Sequence, residues 1–289
     1  MNSKTHLLLA LTMLIWAGSF IFIKIGLKEL DPFNLAFYRF LLASPLLMAW
    51  VFWKRGLAKP SGSEWLHLSV LALSGVTLLY AFQFLALKYT TATNASILIN
   101  TSAVFVALWG LVKGEANPRK LAGVFLSFAG VVLIVSKGTL EFFSSKTIFG
   151  DVLMIVDGFL WAVYTVLGSK MLLKYDHETL TAYAFALGTI FLIPFALMSG
   201  FANPVTFNPE TVAALLYLSI LCSVFAYVVW YYALTNADST SVAVYVYLVP
   251  LFTAIFAFYA LNEKPDFFTA IGGIITIAGV YLTTAKQHQ

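Results

Sequence analysis

The sequence predicts an all-α membrane protein with ten transmembrane helices arranged as two inverted five-helix repeats. Three observations carry this. The 289-residue chain is 61% hydrophobic and only 10% charged, whereas a soluble domain carries about 25% charged residues. Its apolar residues fall into ten segments separated by short breakers, each near the roughly 20 apolar residues that a spanning helix needs. Residue patterns of the first half also recur in the second at a nearly constant offset. This composition excludes a soluble enzyme, a receptor with a large ectodomain and a nucleic-acid-binding domain. The net charge is +4, but the Lys and Arg lie scattered near helix ends instead of forming the basic stripe that nucleic acid requires.

The ten predicted helices cover residues 5–27, 32–53, 64–87, 91–112, 118–136, 149–173, 179–201, 209–234, 239–261 and 266–285. The first follows Lys4 as a signal peptide would, but its apolar core is too long for one and it has a partner later in the chain. Breakers separate the others: Asp31-Pro32, Lys59-Pro60-Ser61-Gly62, Asn117-Pro118, Asn203-Pro204, Asn208-Pro209 and Lys264-Pro265. No connection is long enough for another domain. Cys222 stands alone in an apolar run, so neither a disulfide within the chain nor a cysteine metal cluster is expected.

Loop charges give the orientation, because Lys and Arg favour the cytoplasmic side. With the N-terminus inside, the inner ends carry ten (Lys4, Lys54, Arg55, Lys59, Lys113, Arg119, Lys120, Lys170, Lys174 and Lys286). The outer loops carry five: Lys28, Lys88, Lys137, Lys146 and Lys264. Both termini are therefore expected in the cytoplasm, with the chain multi-pass in the cell membrane.

The repeat is read from matched positions. Ile15-Trp16-Ala17 matches Leu160-Trp161-Ala162 at an offset of 145, and Tyr80 with Ala86-Leu87 matches Tyr227 with Ala233-Leu234 at 147. Glu115 matches Glu263 at 148, and Gly123, Ser127 and Ala129-Gly130-Val131 match Gly272, Thr276 and Ala278-Gly279-Val280 at 149. The drift runs one way, as loop insertions produce. The expected halves are residues 1–145 and 146–289. Five helices is an odd number, so the second half must insert upside down, and such repeats place a site near the bilayer midplane between the halves.

These motifs resemble the drug/metabolite transporter superfamily, in particular its EamA-type ten-helix members. The resemblance rests on Trp16-Ala17 with Lys24, Pro32 with Arg39, Ala86-Leu87, and Glu115 with Gly123 and Gly130. It continues through Gly150-Asp151, Trp161-Ala162-Val163-Tyr164, Ala233-Leu234, Pro250, Glu263, Gly272 and Gly279, and so covers essentially the whole chain. One departure is that Pro250 aligns with Ala103, so the first half lacks that proline. The resemblance implies a transporter of amino acids, other small metabolites, nucleotide sugars or drugs, often an exporter.

The residues themselves suggest where substrate binds. Intramembrane ionisable groups are costly and functional by default. Asp157 lies about 10 Å from the outer end of its helix and shares a face with Trp161, Tyr164 and Gly168 at i, i+4, i+7 and i+11. It reads as a substrate-amine or proton site, or as a structural partner for Arg39 or Lys24. Arg39 and Lys24 each have a second reading, snorkelling to the headgroups. Positions polar or aromatic in both repeats define the expected cavity. Trp16 and Ser19, with Thr12, align with Trp161, Tyr164 and Asp157; Tyr80 and Gln83 align with Tyr227 and Trp230; Ser96 and Asn100 align with Ala243 and Tyr247. The alternative for these rings is packing and interfacial belts, the role expected of Trp53 and Trp65. The Gly-Ser/Thr-Gly patterns of the fifth and tenth helices read as close packing. Glu115 and Glu263 read as charges at a helix start.

No phosphate-binding G-x-x-x-x-G-K-[ST] loop, H-E-x-x-H or G-x-S-x-G motif occurs, so no nucleotide, metal or other cofactor is expected. His6, His67, His177 and His288 lie at or near helix ends, which argues against a buried histidine base. The expected partners are a small-molecule substrate and membrane lipids. An intramembrane enzyme acting on a lipid-linked substrate and a non-transporting scaffold are the rival readings.

Overall fold

The computed structural model describes residues 1–57, 59–86, 89–90, 92–114, 118–136, 147–261 and 267–285, without the side chains of residues 20, 24, 92–94, 96, 254 and 257–261. Glu115, Glu263, Lys88, Lys137, Lys146, Lys264 and Lys286 lie outside the described residues, as do the side chains of Lys24 and Ser96.

Capping chemistry sets the helix starts. In α1 (Ser3–Gly26) the Asn2 side chain accepts from Thr5 N at 2.8 Å, and in α2 (Pro32–Arg55) Asp31 accepts from Phe33 N, with Pro32 at the first position. Each satisfies a backbone N–H that the first turn leaves without a partner. Helix α3 (Gly62–Ala86) starts where Glu64 accepts from Ser61 N at 2.6 Å. Helix α4 is broken at Asn100 into Ala92–Ile99 and Thr101–Val112. There follow α5 (Pro118–Ser136), α6 (Ile148–Met171) and α7 (His177–Met198), whose cap is Asp176. Helix α8 is Pro209–Leu234. Helix α9 starts at the Asp238 cap as Ser239–Ala243, tightens to a 3-10 turn at Val244–Tyr247 and continues as Leu248–Leu261. Helix α10 is Phe267–Thr284. Gly56 and Gly200 follow α2 and α7 at φ of 75° and 70°, a conformation that costs glycine little.

Eight of these helices are long and apolar enough to cross a bilayer; the two shorter apolar helices are Ile97–Val112 in α4 and Ser239–Thr253 in α9. The sequence pattern predicts ten uninterrupted spans. It cannot see that α4 and α9 are interrupted, because a break within an apolar run leaves composition unchanged. Two further irregularities sit inside long helices. Leu73–Thr77 of α3 and Tyr217–Phe225 of α8 are π-helical. Such wide turns concentrate at functional sites.

The helices pack across the chain more than along it. α1 lies against α8 and α9, and α6 against α3 and α4. α2 pairs with α7, and α5 with α10. The α5–α10 contact is backbone on backbone. A Cβ on Gly130 would lie 2.6 Å from the Gly272 carbonyl, and one on Gly123 would lie 2.7 Å from that of Gly279. This is the small-residue packing that brings helices together in lipid, where burying apolar surface gives no gain. Large apolar side chains cover the outside, among them Trp53, Leu173 and Met198 at 90%, 92% and 83% exposure. Such a surface is stable only against lipid, and the chain is a multi-pass membrane protein.

Candidate functional site

Four helices deliver rings to one point inside the bundle. Trp161 of α6 contacts Trp16 of α1 edge-on at 5.5 Å, stacks on Tyr164 at 5.3 Å, and meets Tyr227 and Trp230 of α8 at 5.4 and 5.3 Å. Trp16 also contacts Tyr227 and Trp230. Tyr80 of α3 joins through its hydroxyl, 3.0 Å from that of Tyr227. Tyr227 and Trp230 are fully buried, and Trp161 is 8% exposed. The rings close over one another, and edge-to-face and stacked pairs of this kind contribute about 0.5–1.5 kcal/mol each beyond their burial.

The π turns supply the polar frame. A wide turn shifts the backbone hydrogen-bond register and leaves carbonyls available to side chains. The Gly75 carbonyl of α3 accepts from Tyr227 Oη at 2.9 Å. The Cys222 carbonyl of α8 accepts from Trp16 Nε1 at 3.0 Å and from Arg39 Nη2 at 3.3 Å. In each case a side chain from one half of the chain docks on the wide turn of the other. Gly75 has a further reason to be glycine: a Cβ there would enter the Tyr164 ring.

Asp157 is fully buried on α6. It lies nine positions after Ile148, which is about 14 Å along the helix. Its Oδ2 accepts from Gln83 Nε2 at 3.4 Å, while Oδ1 has no hydrogen-bond partner. Arg39 is not its counter-ion in any ion pair of the described residues, which removes Arg39 as its structural partner. Arg39 does not snorkel either. It is 2% exposed, donates through Nε to Ser223 Oγ at 2.7 Å, and holds its guanidinium carbon 4.4 Å from the Tyr80 ring centroid.

The structure thus gathers Trp16, Tyr80, Trp161, Tyr164, Tyr227 and Trp230, with Gln83 and Asp157 beside them. Three other expected residues behave differently. Ser19 donates to the Trp16 carbonyl on its own helix at 2.6 Å. Asn100 is buried at the break in α4. Tyr247 is fully buried, with its ring 6.1 Å from that of Phe128 on α5. The Ser96 side chain lies outside the described residues. Sequence reasoning missed Phe40 and Tyr231, whose rings contact Tyr80 at 5.2 Å and Tyr164 at 4.8 Å. It also missed the carbonyls of Gly75 and Cys222, and no sequence signal marks a π turn.

An open cavity of about 770 Å³ lies elsewhere, at the end of the bundle where the chain starts, lined by Met1, His6, Arg119 and Tyr281 among others. At that same end, ion pairs join the halves: Lys54–Glu178 at 2.9 Å, Arg55–Asp176 at 3.1 Å, Lys120–Asp238 at 2.6 Å, and Lys174–Glu64. These lysines and the arginine are 22–62% exposed, and exposed pairs contribute only about 0–1 kcal/mol each.

Comparison with known proteins agrees with this architecture. A solved crystal structure superposes with a TM-score of 0.81 at 19% identity, covering 98% of each chain. An uncharacterized transporter of Archaeoglobus fulgidus is 26% identical, over 98% of this chain and 100% of its own length. A "probable terminal-alkyne amino-acid exporter" of Streptantibioticus cattleyicolor is 31% identical, over 98% and 94%. A "probable amino-acid metabolite efflux pump" of Escherichia coli is 25% identical, over 98% and 95%. The protein is thus a multi-spanning membrane transporter, not an enzyme. More narrowly, the chain belongs to the EamA-like transporter family, whose model matches residues 3–136 and 148–285.

Proposed function

We propose that this transporter exports a small organic metabolite, such as an amino acid, by alternating access. Two inverted five-helix repeats, residues 1–145 and 146–289, would rock about the aromatic cluster. Both termini would lie in the cytoplasm of a cell whose plasma membrane holds the protein. The observation that carries the reading is a buried cluster of rings drawn from both halves, with a buried carboxyl group beside it. Substrate binding is assigned to Trp16, Ser19, Tyr80, Gln83, Ser96, Asn100, Asp157, Trp161, Tyr164, Tyr227, Trp230 and Tyr247.

Paired irregularities support the repeat. The π turns fall in α3 and α8, and the breaks in α4 and α9 fall at Asn100 and Tyr247. Gly75 and Cys222, whose carbonyls receive the cross-half hydrogen bonds, are related by the same offset of 147 as Tyr80 and Tyr227. A cluster that closes completely suits an occluded intermediate, since opening either side requires only that rings from opposite halves part. The names of the Streptantibioticus and Escherichia relatives support an amino acid as cargo and export as direction.

The test is flux in vesicles reconstituted with the purified protein, using a panel of labelled amino acids with and without a pH gradient. Protein-dependent movement of at least one member, lost in Trp161→Phe combined with Asp157→Asn, is expected. Movement no faster than in protein-free vesicles across the whole panel would sink the amino-acid reading. Reporter fusions that put the two termini on opposite faces would sink the repeat, because the number of crossings would then be odd.

A further inference from the structure

Arg39 holds a permanent positive charge about 10 Å inside α2 and is 2% exposed. A charge at that depth is expensive unless paired or solvated. Its two hydrogen-bond acceptors, Ser223 Oγ and the Cys222 carbonyl, are both neutral. No carboxylate lies within 4.0 Å of it among the described residues. A guanidinium carries five N–H donors in a planar fork that matches a carboxylate. Two are engaged, and the rest have no acceptor among the described residues.

Its surroundings are those of the substrate cluster. The Cys222 carbonyl that receives Arg39 Nη2 also receives Trp16 Nε1. The guanidinium lies on the Tyr80 ring, and the Tyr80 hydroxyl meets that of Tyr227. Gln83 follows Tyr80 by three residues on α3, which is about 4.5 Å of helix. Gln83 in turn touches Asp157, whose Oδ1 has no hydrogen-bond partner. A guanidinium and a carboxyl group therefore stand on either side of one helical turn. Both are buried, each has hydrogen-bonding capacity left over, and they are not paired with each other.

We propose that Arg39 binds the carboxylate of the transported molecule while Asp157 takes its ammonium group. The substrate class is then a zwitterionic α-amino acid whose apolar or aromatic side chain lies among the rings. The charge balance favours this. With Asp157 ionised against the bound ammonium, site and cargo are each neutral overall, so loading pairs two buried charges and unloading carries no net charge across the membrane. The proposal rests on the amino-acid reading of the cluster and adds to it the residue that selects for a carboxylate.

The test compares L-phenylalanine with L-phenylalaninamide, in which a neutral amide replaces the carboxylate. Equilibrium binding is measured on the purified full chain in detergent and flux in vesicles, for the natural sequence, Arg39→Lys and Arg39→Gln. Lysine keeps the charge but loses the fork. The natural sequence should prefer phenylalanine by about tenfold or more, as a charge-assisted pair implies. Both variants should lose that preference, the ratio of the two affinities falling to within about twofold of one whatever the change in absolute affinity. The ratio of two probes on the same folded protein is insensitive to yield, so a variant that folds poorly still answers. An arginine that only clamps the wide turn of α8 would weaken both probes equally and leave the ratio unchanged, and that result overturns the proposal. Equal affinity for both probes in the natural sequence also overturns it, while flux of either leaves the transporter reading standing. If neither probe binds or moves, the proposal fails, and the wider amino-acid panel decides separately whether the reading beneath it fails too.

Discussion

Gly130→Ala separates two effects of opposite sign whose sizes the structure allows to be compared. Alanine improves helix propensity by about 0.8–1.0 kcal/mol over glycine. Against this, the new Cβ on α5 would stand 2.6 Å from the Gly272 carbonyl oxygen and 2.6 Å from Thr276 N, where ordinary contact begins at 3.4 Å. Both are backbone atoms of α10, so no side-chain rotation relieves the overlap and the helices must part by most of an ångström. Overpacking of this kind costs about 1–3 kcal/mol. A gap of roughly 0.5–1 Å also forfeits a quarter to a half of the dispersion attraction along the interface. The overlap therefore wins, and the variant should lose about 1–2 kcal/mol net. Gly62→Ala is the control: nothing lies within 4 Å of its Cβ position, so it should be neutral or slightly stabilising. Thermal melting in detergent reads both, at about 2–4 °C per kcal/mol for chains approaching this size. If Gly130→Ala melts at or above the natural protein while Gly62→Ala is neutral, α5 and α10 do not meet backbone to backbone and the argument fails.

Trp161→Ala should lower folded yield as well as flux, since removing a buried tryptophan costs about 3–5 kcal/mol and Trp161 meets four rings at 5.3–5.5 Å; Trp161→Phe should restore yield but not full flux, and wild-type flux in it would make the tryptophan a packing residue only. Asp157→Asn should melt normally and change flux or its pH dependence, because Arg39 is held by other groups; normal melting with unaltered flux at every pH would show that the carboxylate takes no part. At the α9 cap, burial alone would raise the Asp238 carboxyl, but hydrogen bonds from Lys120 and Ser241 outweigh it and hold the pKa below the ordinary 3.8. A depressed folded-state value means the stabilisation is complete above the unfolded pKa and fades as pH falls through the folded one. Melting temperature should accordingly drop more steeply below about pH 4 in the natural protein than in Asp238→Asn, and parallel acid profiles would show that the cap contributes nothing through its charge.

What the sequence makes legible follows from which physics it encodes directly. Helix positions come from the bilayer's demand for long apolar runs, and helix ends from breakers such as Asp31-Pro32, where Asp31 does cap α2. Matched aromatics at an offset of 145 or 147 are readable without any structure, and Trp16, Trp161, Tyr80 and Tyr227 do meet. Helix rotation is much harder to read. A soluble helix announces its inward face by hydrophobic periodicity, but a helix in lipid is apolar on both faces and the signal is lost. That is why Arg39 reads equally as a snorkelling residue or an inward one until the structure turns it inward. It is also why Ser19, expected in the cavity, instead bonds back to its own helix. The π turns were illegible for another reason: nothing in Leu73-Ser74-Gly75 specifies a wide turn without the Tyr227 hydroxyl that meets it.

The charges break the pattern that the rings keep. The cluster's aromatic positions recur across the repeat, as Trp16 with Trp161 and Tyr80 with Tyr227. Asp157 instead aligns with Thr12, and at the same offset of 145 Arg39 aligns with Ala184. On the proposed mechanism this division is required. Opening to either side needs two equivalent frames, so that the bundle can rock both ways at similar cost, and that favours repeated rings and repeated wide turns. A single asymmetric cargo needs one cation and one anion at fixed places, and duplicating them would leave a second buried pair with nothing to neutralise it. Placing alanine at Arg39 and threonine at Asp157 loses the Arg39 contacts to Ser223, Cys222 and Tyr80, but Trp16 still reaches the Cys222 carbonyl and Tyr227 that of Gly75, so the bundle should still close while no longer discriminating by carboxylate or ammonium. A double variant Arg39→Ala, Asp157→Thr that keeps the amino-acid preference of the natural protein would show that selectivity lies in the rings alone.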